Sequence, residues 1–190
     1  MRFHLLGVPH TVTNDEYVAC AYTQKILKFG KMFTGQPGVE IFHYGHEDSN
    51  VKCDEHITVT TNDDLKKAYG SYDWRKEFFK FDTADHAYTT FYEKALKEIN
   101  KRLKKNDFVL AFWGSGVRPV CGMIEHKNKD KAIIVEPGIG YADGHFAKWK
   151  VWESYAIMHA VGGKEMIAQC SPSWYDVVIP NYFDETQFNY

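Results

Sequence analysis

The chain has 190 residues, 44% of them hydrophobic and 25% charged, and its net charge is -2 at pH 7. This length can bury a sizeable core and predicts one domain. The near-neutral charge argues against nucleic acid as a partner, and no apolar run is long enough for a transmembrane segment.

The first half of the chain alternates short apolar runs with helical patterns. Strands are predicted over Phe3 to Val8, Val39 to Tyr44 and His56 to Thr60. A capping-box pattern at residues 13–16 predicts a helix from there to about residue 32, with Val18, Tyr22, Ile26 and Phe29 on one face. Residues 61–64 predict the cap of a short helix.

The second half repeats this alternation. Helices are predicted over Asp85 to Leu103, after Pro119, and over Lys148 to Ala160. Strands are predicted over Phe108 to Trp113, Ala132 to Val135 and Val177 to Ile179. The pattern indicates an α/β fold, a Rossmann-like three-layer domain with a mostly parallel sheet.

The loops that follow the predicted strands are the candidate ligand site. Ligands of open parallel sheets bind at the carboxyl ends of the strands. Glycine lets a backbone approach a ligand, and His, Trp and Tyr supply hydrogen bonds and flat surfaces. The candidate substrate-binding residues are Gly7, Pro9, Thr11, Trp113, Gly114, Ser115, Gly116, Gly138, Gly140 and Tyr141.

Three side chains in these loops are candidates for catalysis, each with a structural alternative. His10 contacts an acceptor or a donor phosphate, or instead caps the next helix or fills the loop. Glu136 orients an acceptor hydroxyl or acts as a base, or instead accepts hydrogen bonds from the amides of residues 138–140. His145, predicted at a helix start, binds an anionic group or makes a structural contact. Glu153, predicted in mid-helix, is solvated or braces a loop.

No metal site is predicted. The spacing of Cys20, Cys53, Cys121 and Cys170 fits neither a zinc site nor a small disulfide framework, which favours free thiols in the cytoplasm. The pair Asp63-Asp64 stands in a helix-start pattern, where capping and the helix dipole explain it better than a divalent ion does.

Several segments resemble the N-terminal domain of GT-B glycosyltransferases of the family 4 type, as found in large DNA viruses, phages and bacteria. The closing segment, residues 175–184 (YDVVIPNYFD), is similar to the one that ends that domain. The matching segments before it are residues 6–11 (LGVPHT), 16–25 (EYVACAYTQK), 135–141 (VEPGIGY), 144–147 (GHFA) and 153–156 (ESYA).

The resemblance implies a function and a division of the protein. Residues 1–184 would be the acceptor-side domain, residues 185–190 would begin a linker, and a C-terminal domain that binds the donor would follow. The enzyme would transfer a sugar from a nucleotide-sugar co-substrate to a glycan or other hydroxyl acceptor, without a further cofactor. The domain alone would then be weak or inactive.

The loops depart from the family pattern at two places. Many members have a Gly-Gly pair after the first strand, where this chain has Val8 and Pro9. Many also have a histidine at the end of the strand where this chain has Glu136. Two other functions stay open, a non-catalytic glycan-binding or interaction domain and a stand-alone nucleotide-binding enzyme. The chain lacks both the dinucleotide fingerprint and the P-loop that the latter would favour.

Overall fold

The structure, a computed structural model, describes residues 1–17, 19–71, 73–77, 79–128, 131–167 and 173–183. Four of the sequence predictions fall outside these residues. They are the place of Val18 on the first helix, the free thiol of Cys170, the end of the closing segment at Asp184, and the linker at 185–190.

One parallel sheet organises the described residues. Its strands are β1 (Arg2–Leu6), β2 (Glu40–His46), β3 (Glu55–Thr60), β4 (Asp107–Ala111), β5 (Ala132–Ile139), β6 (Trp149–Trp152) and β7 (Val177–Val178). Their order is β3-β2-β1-β4-β5-β6-β7, and every neighbouring pair is parallel. The order reverses between β1 and β4, where such sheets open a crevice. The predicted α/β fold with a parallel sheet is confirmed.

Helices cover both faces of the sheet. They are α1 (Ala21–Phe33), α2 (Asn62–Tyr69), α3 (His86–Arg102), α4 (Gly114–Lys127) and α5 (Tyr155–Ile167). Phe91 of α3 and Ile124 of α4 lie in one core with Val109 of the sheet. Ile26 of α1 packs on the opposite face with Leu5 and Leu110. Alternate residues of β1 and β4 therefore face different layers, which gives the three-layer architecture.

Two of the predicted helix starts are confirmed by their caps. The Thr61 hydroxyl accepts a hydrogen bond from the Asp64 amide, and Asp64 accepts one from the Thr61 amide, so α2 begins with a full capping box. Asp85 accepts from the Tyr88 amide and caps α3. The carboxylate of Asp64 is therefore occupied as a cap, as the helix-start pattern predicted.

Three other elements differ from the prediction. Residues 149–152 (WKVW) form strand β6 by pairing with β5, and the following helix begins only at Tyr155. The first helix begins at Ala21, since residues 15–17 form a single 3-10 turn that the Asn14 side chain caps. The helix predicted after Pro119 begins earlier, at Gly114, and contains that proline.

Buried histidines make the stability of this fold sensitive to acid. Burial lowers the pKa of His43 to about 3, helped by His56, whose Nδ1 lies 3.0 Å from Nδ1 of His43. The pKa values of His4, His46 and His56 are also lowered, chiefly by burial. Below pH 6.5 the unfolded chain therefore binds protons that the folded protein does not.

We expect the free energy of unfolding to fall as the pH drops from 7.5 to 5.0. Each histidine that is neutral in the folded protein but protonated in the unfolded chain lowers the free energy of unfolding by about 2 kcal/mol at pH 5. Urea denaturation at both pH values measures the loss, and His43→Gln should reduce the pH dependence. The exposed His126 is the matched control, and His126→Gln should leave the dependence unchanged. Equal stability at both pH values would contradict this account.

Candidate functional site

The loops after β1, β4 and β5 meet at the carboxyl edge of the sheet. The ring of His10, after β1, lies 5.4 Å from the ring of Trp113, after β4. The amide of Gly114 donates to the Tyr141 hydroxyl over 3.0 Å, and that hydroxyl donates to Glu136 over 2.9 Å. The predicted gathering of His10, Trp113 and Glu136 on one edge is confirmed, and it lies at the reversal of strand order.

His10 is held as a neutral imidazole. Its Nδ1 lies within hydrogen-bond distance of the Tyr88 hydroxyl, 2.6 Å away. Burial lowers the pKa of His10 to about 4, although Asp85 acts in the opposite direction. At neutral pH the ring can therefore exchange a proton or form a hydrogen bond through Nε2, but it brings no positive charge to an anion.

Flat rings surround this imidazole in an aromatic cluster formed by His10, Tyr22, Phe81, Tyr88 and Trp113. Tyr22 stacks on Trp113 with centroids 5.7 Å apart, and Phe81 stacks on His10 at 4.5 Å. Sequence reasoning missed three members. Tyr22 is predicted on the apolar face of the first helix, and no local pattern marks Tyr88 or Phe81 as part of a site. Such a cluster offers the flat faces on which sugars and bases stack.

Glu136 is a buried carboxylate, and its contacts favour the structural of its two predicted roles. It has no exposed surface. One oxygen accepts from the amides of Phe146 and Ala147 at 2.8 and 2.7 Å, and the other accepts from Tyr141. These are different donors from the amides of residues 138–140 that the sequence suggested. Burial raises the pKa of Glu136 against the effect of its three donors. The group therefore holds the loop after β5 against the start of α4.

The start of α4 forms the second part of the site. The predicted Gly114-Ser115-Gly116 loop is the first turn of this helix, and the side chain of the preceding Trp113 makes no capping hydrogen bond. A Cβ at Gly114 would overlap the Glu136 carboxylate, so only glycine fits there. Ser115 is exposed, whereas Gly114 and Gly116 are buried. The amides of a helix start suit an anionic group.

Three residues predicted to bind substrate instead shape the loop after β1. Gly7, Pro9 and Thr11 are buried. The Gly7 amide donates to the Tyr44 carbonyl over 2.8 Å, and the Thr11 hydroxyl lies 2.8 Å from that of Thr23. Their effect is to place His10, the half-buried residue between them, at the edge of the sheet.

A salt bridge braces the end of β5, which runs to Ile139 and not only to Val135 as predicted. The Lys25 ammonium donates to the Gly138 carbonyl at 2.6 Å and to the Glu153 carboxylate at 2.7 Å. Asn181 donates to the same carboxylate over 3.1 Å. Gly140 is exposed, and its missing side chain leaves room for Glu153. Glu153 thus contacts and stabilises a loop, which is one of the two roles predicted for it. It follows strand β6, however, and does not lie in mid-helix as predicted.

His145 does not lie at a helix start. It is in the loop between β5 and β6, half-buried, with its ring 5.6 Å from that of Trp152. His145 thus belongs to the loop that Glu136 organises.

Neither a metal site nor a membrane segment is found in the part of the chain that the structure describes. There, no three His, Cys, Asp or Glu side chains are grouped to hold an ion, and Cys20, Cys53 and Cys121 are free thiols. Among the described helices, none combines the length and apolarity needed to cross a bilayer.

Comparison with known proteins supports the fold. No family model and no curated protein matches the sequence. Among solved structures, the chain is similar to the N-terminal domain of trehalose-6-phosphate phosphatase from Candida albicans, with a TM-score of 0.53 and 11% sequence identity. The match covers 98% of this chain and 49% of the phosphatase chain, so this chain spans about half the length of the phosphatase chain. At this identity the similarity shows a shared α/β architecture.

Proposed function

We propose that this chain is the acceptor-side domain of a GT-B glycosyltransferase, which transfers a sugar from a nucleotide sugar to a hydroxyl acceptor. The observation that carries the proposal is the meeting of His10, Trp113 and the start of α4 at one edge of the sheet. A neutral base, a flat ring and a helix start are the groups that glycosyl transfer requires of such an edge. The resemblance of the loop segments to that family points to the same reaction.

The roles of the residues follow from their positions. His10 accepts the proton of the acceptor hydroxyl through Nε2 as the acceptor oxygen attacks the anomeric carbon. The bond from that carbon to the diphosphate breaks, and the amides that follow Gly114 in the first turn of α4 stabilise the departing oxygen. Trp113 supplies a stacking face. His145 and the exposed parts of Ser115, Gly138, Gly140 and Tyr141 are the remaining candidates for substrate contact.

The acceptor-side assignment also predicts what the chain does by itself. In a GT-B enzyme the donor nucleotide is held mainly by the other domain, as the resemblance implies. Residues 1–190 should then bind nucleotide sugars weakly, with dissociation constants of about 1 mM or more. They should show no measurable transfer.

Release of nucleoside diphosphate from a panel of nucleotide sugars tests the proposal. The assay is run on residues 1–190 and on the full protein, which includes the proposed C-terminal domain. Each form is tested with and without glycan acceptors. We expect acceptor-dependent release from the full protein only. Robust transfer by residues 1–190 would contradict the division between two domains. Glycan binding without release from either form would favour a non-catalytic domain, and tight nucleotide binding by residues 1–190 would favour a stand-alone nucleotide-binding enzyme.

A further inference from the structure

A segment between α2 and α3 lies over the candidate site. We call this segment, residues 73–77 and 79–85, the strap. It follows Gly70, whose φ of 66° lies in the left-handed region, and it ends at Asp85, the cap of α3. Its described residues form no helix or strand. The strap therefore owes its position to side-chain contacts with the loop after β1.

Contacts at the near end of the strap combine an aromatic stack with an exposed ion pair. Trp74 stacks on Tyr17 with centroids 4.0 Å apart. Arg75 forms an ion pair with Glu16, and both side chains are more than half exposed. An exposed ion pair contributes little stability, because water screens it. The near end of the strap is therefore held mainly by aromatic stacking, in which Phe79 also stacks on Trp74 with centroids 6.0 Å apart.

At its far end the strap covers the imidazole of His10. The Phe81 ring is parallel to the His10 ring within 11°, with centroids 4.5 Å apart, and its edge faces Trp113 at 5.1 Å. A third ring between two stacked rings needs a separation of roughly 7 Å, twice a carbon contact distance. No ligand ring can therefore lie between Phe81 and His10 in this arrangement.

Phe81 is also poorly buried for a large aromatic side chain. It is 44% exposed, whereas Tyr88, which contacts the other side of the cluster, has no exposed surface. The Phe81 ring is thus held by its contacts with His10, Trp113 and Tyr88 more than by burial in the core. A side chain with this balance is easily displaced by a ligand that offers the same stacking contact.

We propose that the strap is an autoinhibitory element, in which Phe81 occupies the face of His10 that a substrate ring takes, so that binding requires the strap to move away. Only the identity of the ligand, a sugar, rests on the proposed function. That Phe81 covers one face of the His10 ring follows from the stacking of the two rings.

Modification of His10 by diethyl pyrocarbonate tests the movement without any substrate. The reagent attacks neutral imidazole nitrogen, and Tyr88 occupies Nδ1, so the rate at Nε2 reports how often the strap opens. Peptide mass spectrometry follows His10, with the exposed His126 as an internal reference. The variants are Arg75→Ala, which releases the strap at a distance from His10, and Phe81→Ala. Lys101→Ala removes a comparable exposed ion pair on α3 and is the control.

We expect Arg75→Ala to raise the rate at His10 about two- to five-fold, the effect of an exposed ion pair. Phe81→Ala should raise it about tenfold, the effect of an aromatic pair, and Lys101→Ala should leave it unchanged. A rate that rises with Phe81→Ala but not with Arg75→Ala would overturn the proposal, because the ring would then shield His10 without any opening of the strap. Equal rates in every variant would overturn it as well.

The second measurement separates this proposal from the proposed function. If the full protein transfers a sugar, Phe81→Ala should lower KM several-fold, since the substrate no longer competes with the ring. A raised KM would make Phe81 a binding platform and would overturn autoinhibition. If no nucleotide sugar is turned over, the glycosyltransferase proposal fails, and the rates at His10 still decide whether the strap opens.

Discussion

Replacing His10 by alanine is expected to lower turnover of the full protein by about 10²–10⁴-fold, the usual contribution of a general acid or base. The reason is geometric. Tyr88 fixes Nδ1, Nε2 is the nitrogen left to meet a substrate, and burial keeps the ring neutral at pH 7. The free energy of unfolding should fall by only about 1–2 kcal/mol, because the side chain is half-buried.

Two variants make this result specific. Tyr88→Phe keeps the imidazole but removes its partner, and it should reduce turnover about tenfold, the effect of one hydrogen bond. His126→Ala removes an exposed histidine of α4 and should change neither turnover nor stability. Turnover assays and thermal melts are run on all three variants. Full activity of folded His10→Ala would show that His10 only shapes its loop.

Replacing Glu136 by alanine is expected to lower the free energy of unfolding by about 3–5 kcal/mol, because it breaks a buried polar network. The change leaves the amides of Phe146 and Ala147 without their acceptor and the Tyr141 hydroxyl without the acceptor of its proton. Buried groups that lose a partner carry their full desolvation penalty. Urea denaturation at pH 7 measures the effect.

Glu136→Gln should be much milder, about 1–2 kcal/mol. Its amide oxygen can still accept from the two backbone amides, and its NH2 group can donate to the Tyr141 oxygen once that hydroxyl turns. Glu125→Ala, an exposed change on α4, should have an effect within about 0.5 kcal/mol. If Glu136→Gln folds with normal stability and abolishes turnover, the carboxylate is catalytic and the structural assignment is wrong.

Local sequence signals predicted the sheet and part of the site. Apolar runs bounded by turn residues marked β1, β2 and β4, and side chains that cap their own helix marked the starts at Thr61 and Asp85. The same signals placed His10 and Trp113 at one edge, since parallel strands end on the same side. These features depend on neighbours within a few residues.

Features that depend on distant residues could not be predicted in this way. Strand β6 was read as a helix because its pairing with β5, and not its own spacing, decides its form. The donors to Glu136 lie in a loop whose path is set by the fold, and the cover over His10 comes from the strap. Exposed and buried aromatic residues look alike in the sequence, so Phe81 carried no signal.

The pairing of the central strand has a consequence for synthesis of the protein. Phe3 of β1 is the partner of Phe108 of β4, so one edge of β1 stays open until more than half of the chain has been made. At about 5–20 residues per second the ribosome needs roughly 5–20 s to supply β4. During that interval the nascent chain presents an unpaired apolar strand edge, the kind of surface that chaperones bind and that promotes aggregation. Slowing translation before β4 has left the ribosome would lengthen this exposure, whereas slowing it afterwards would not.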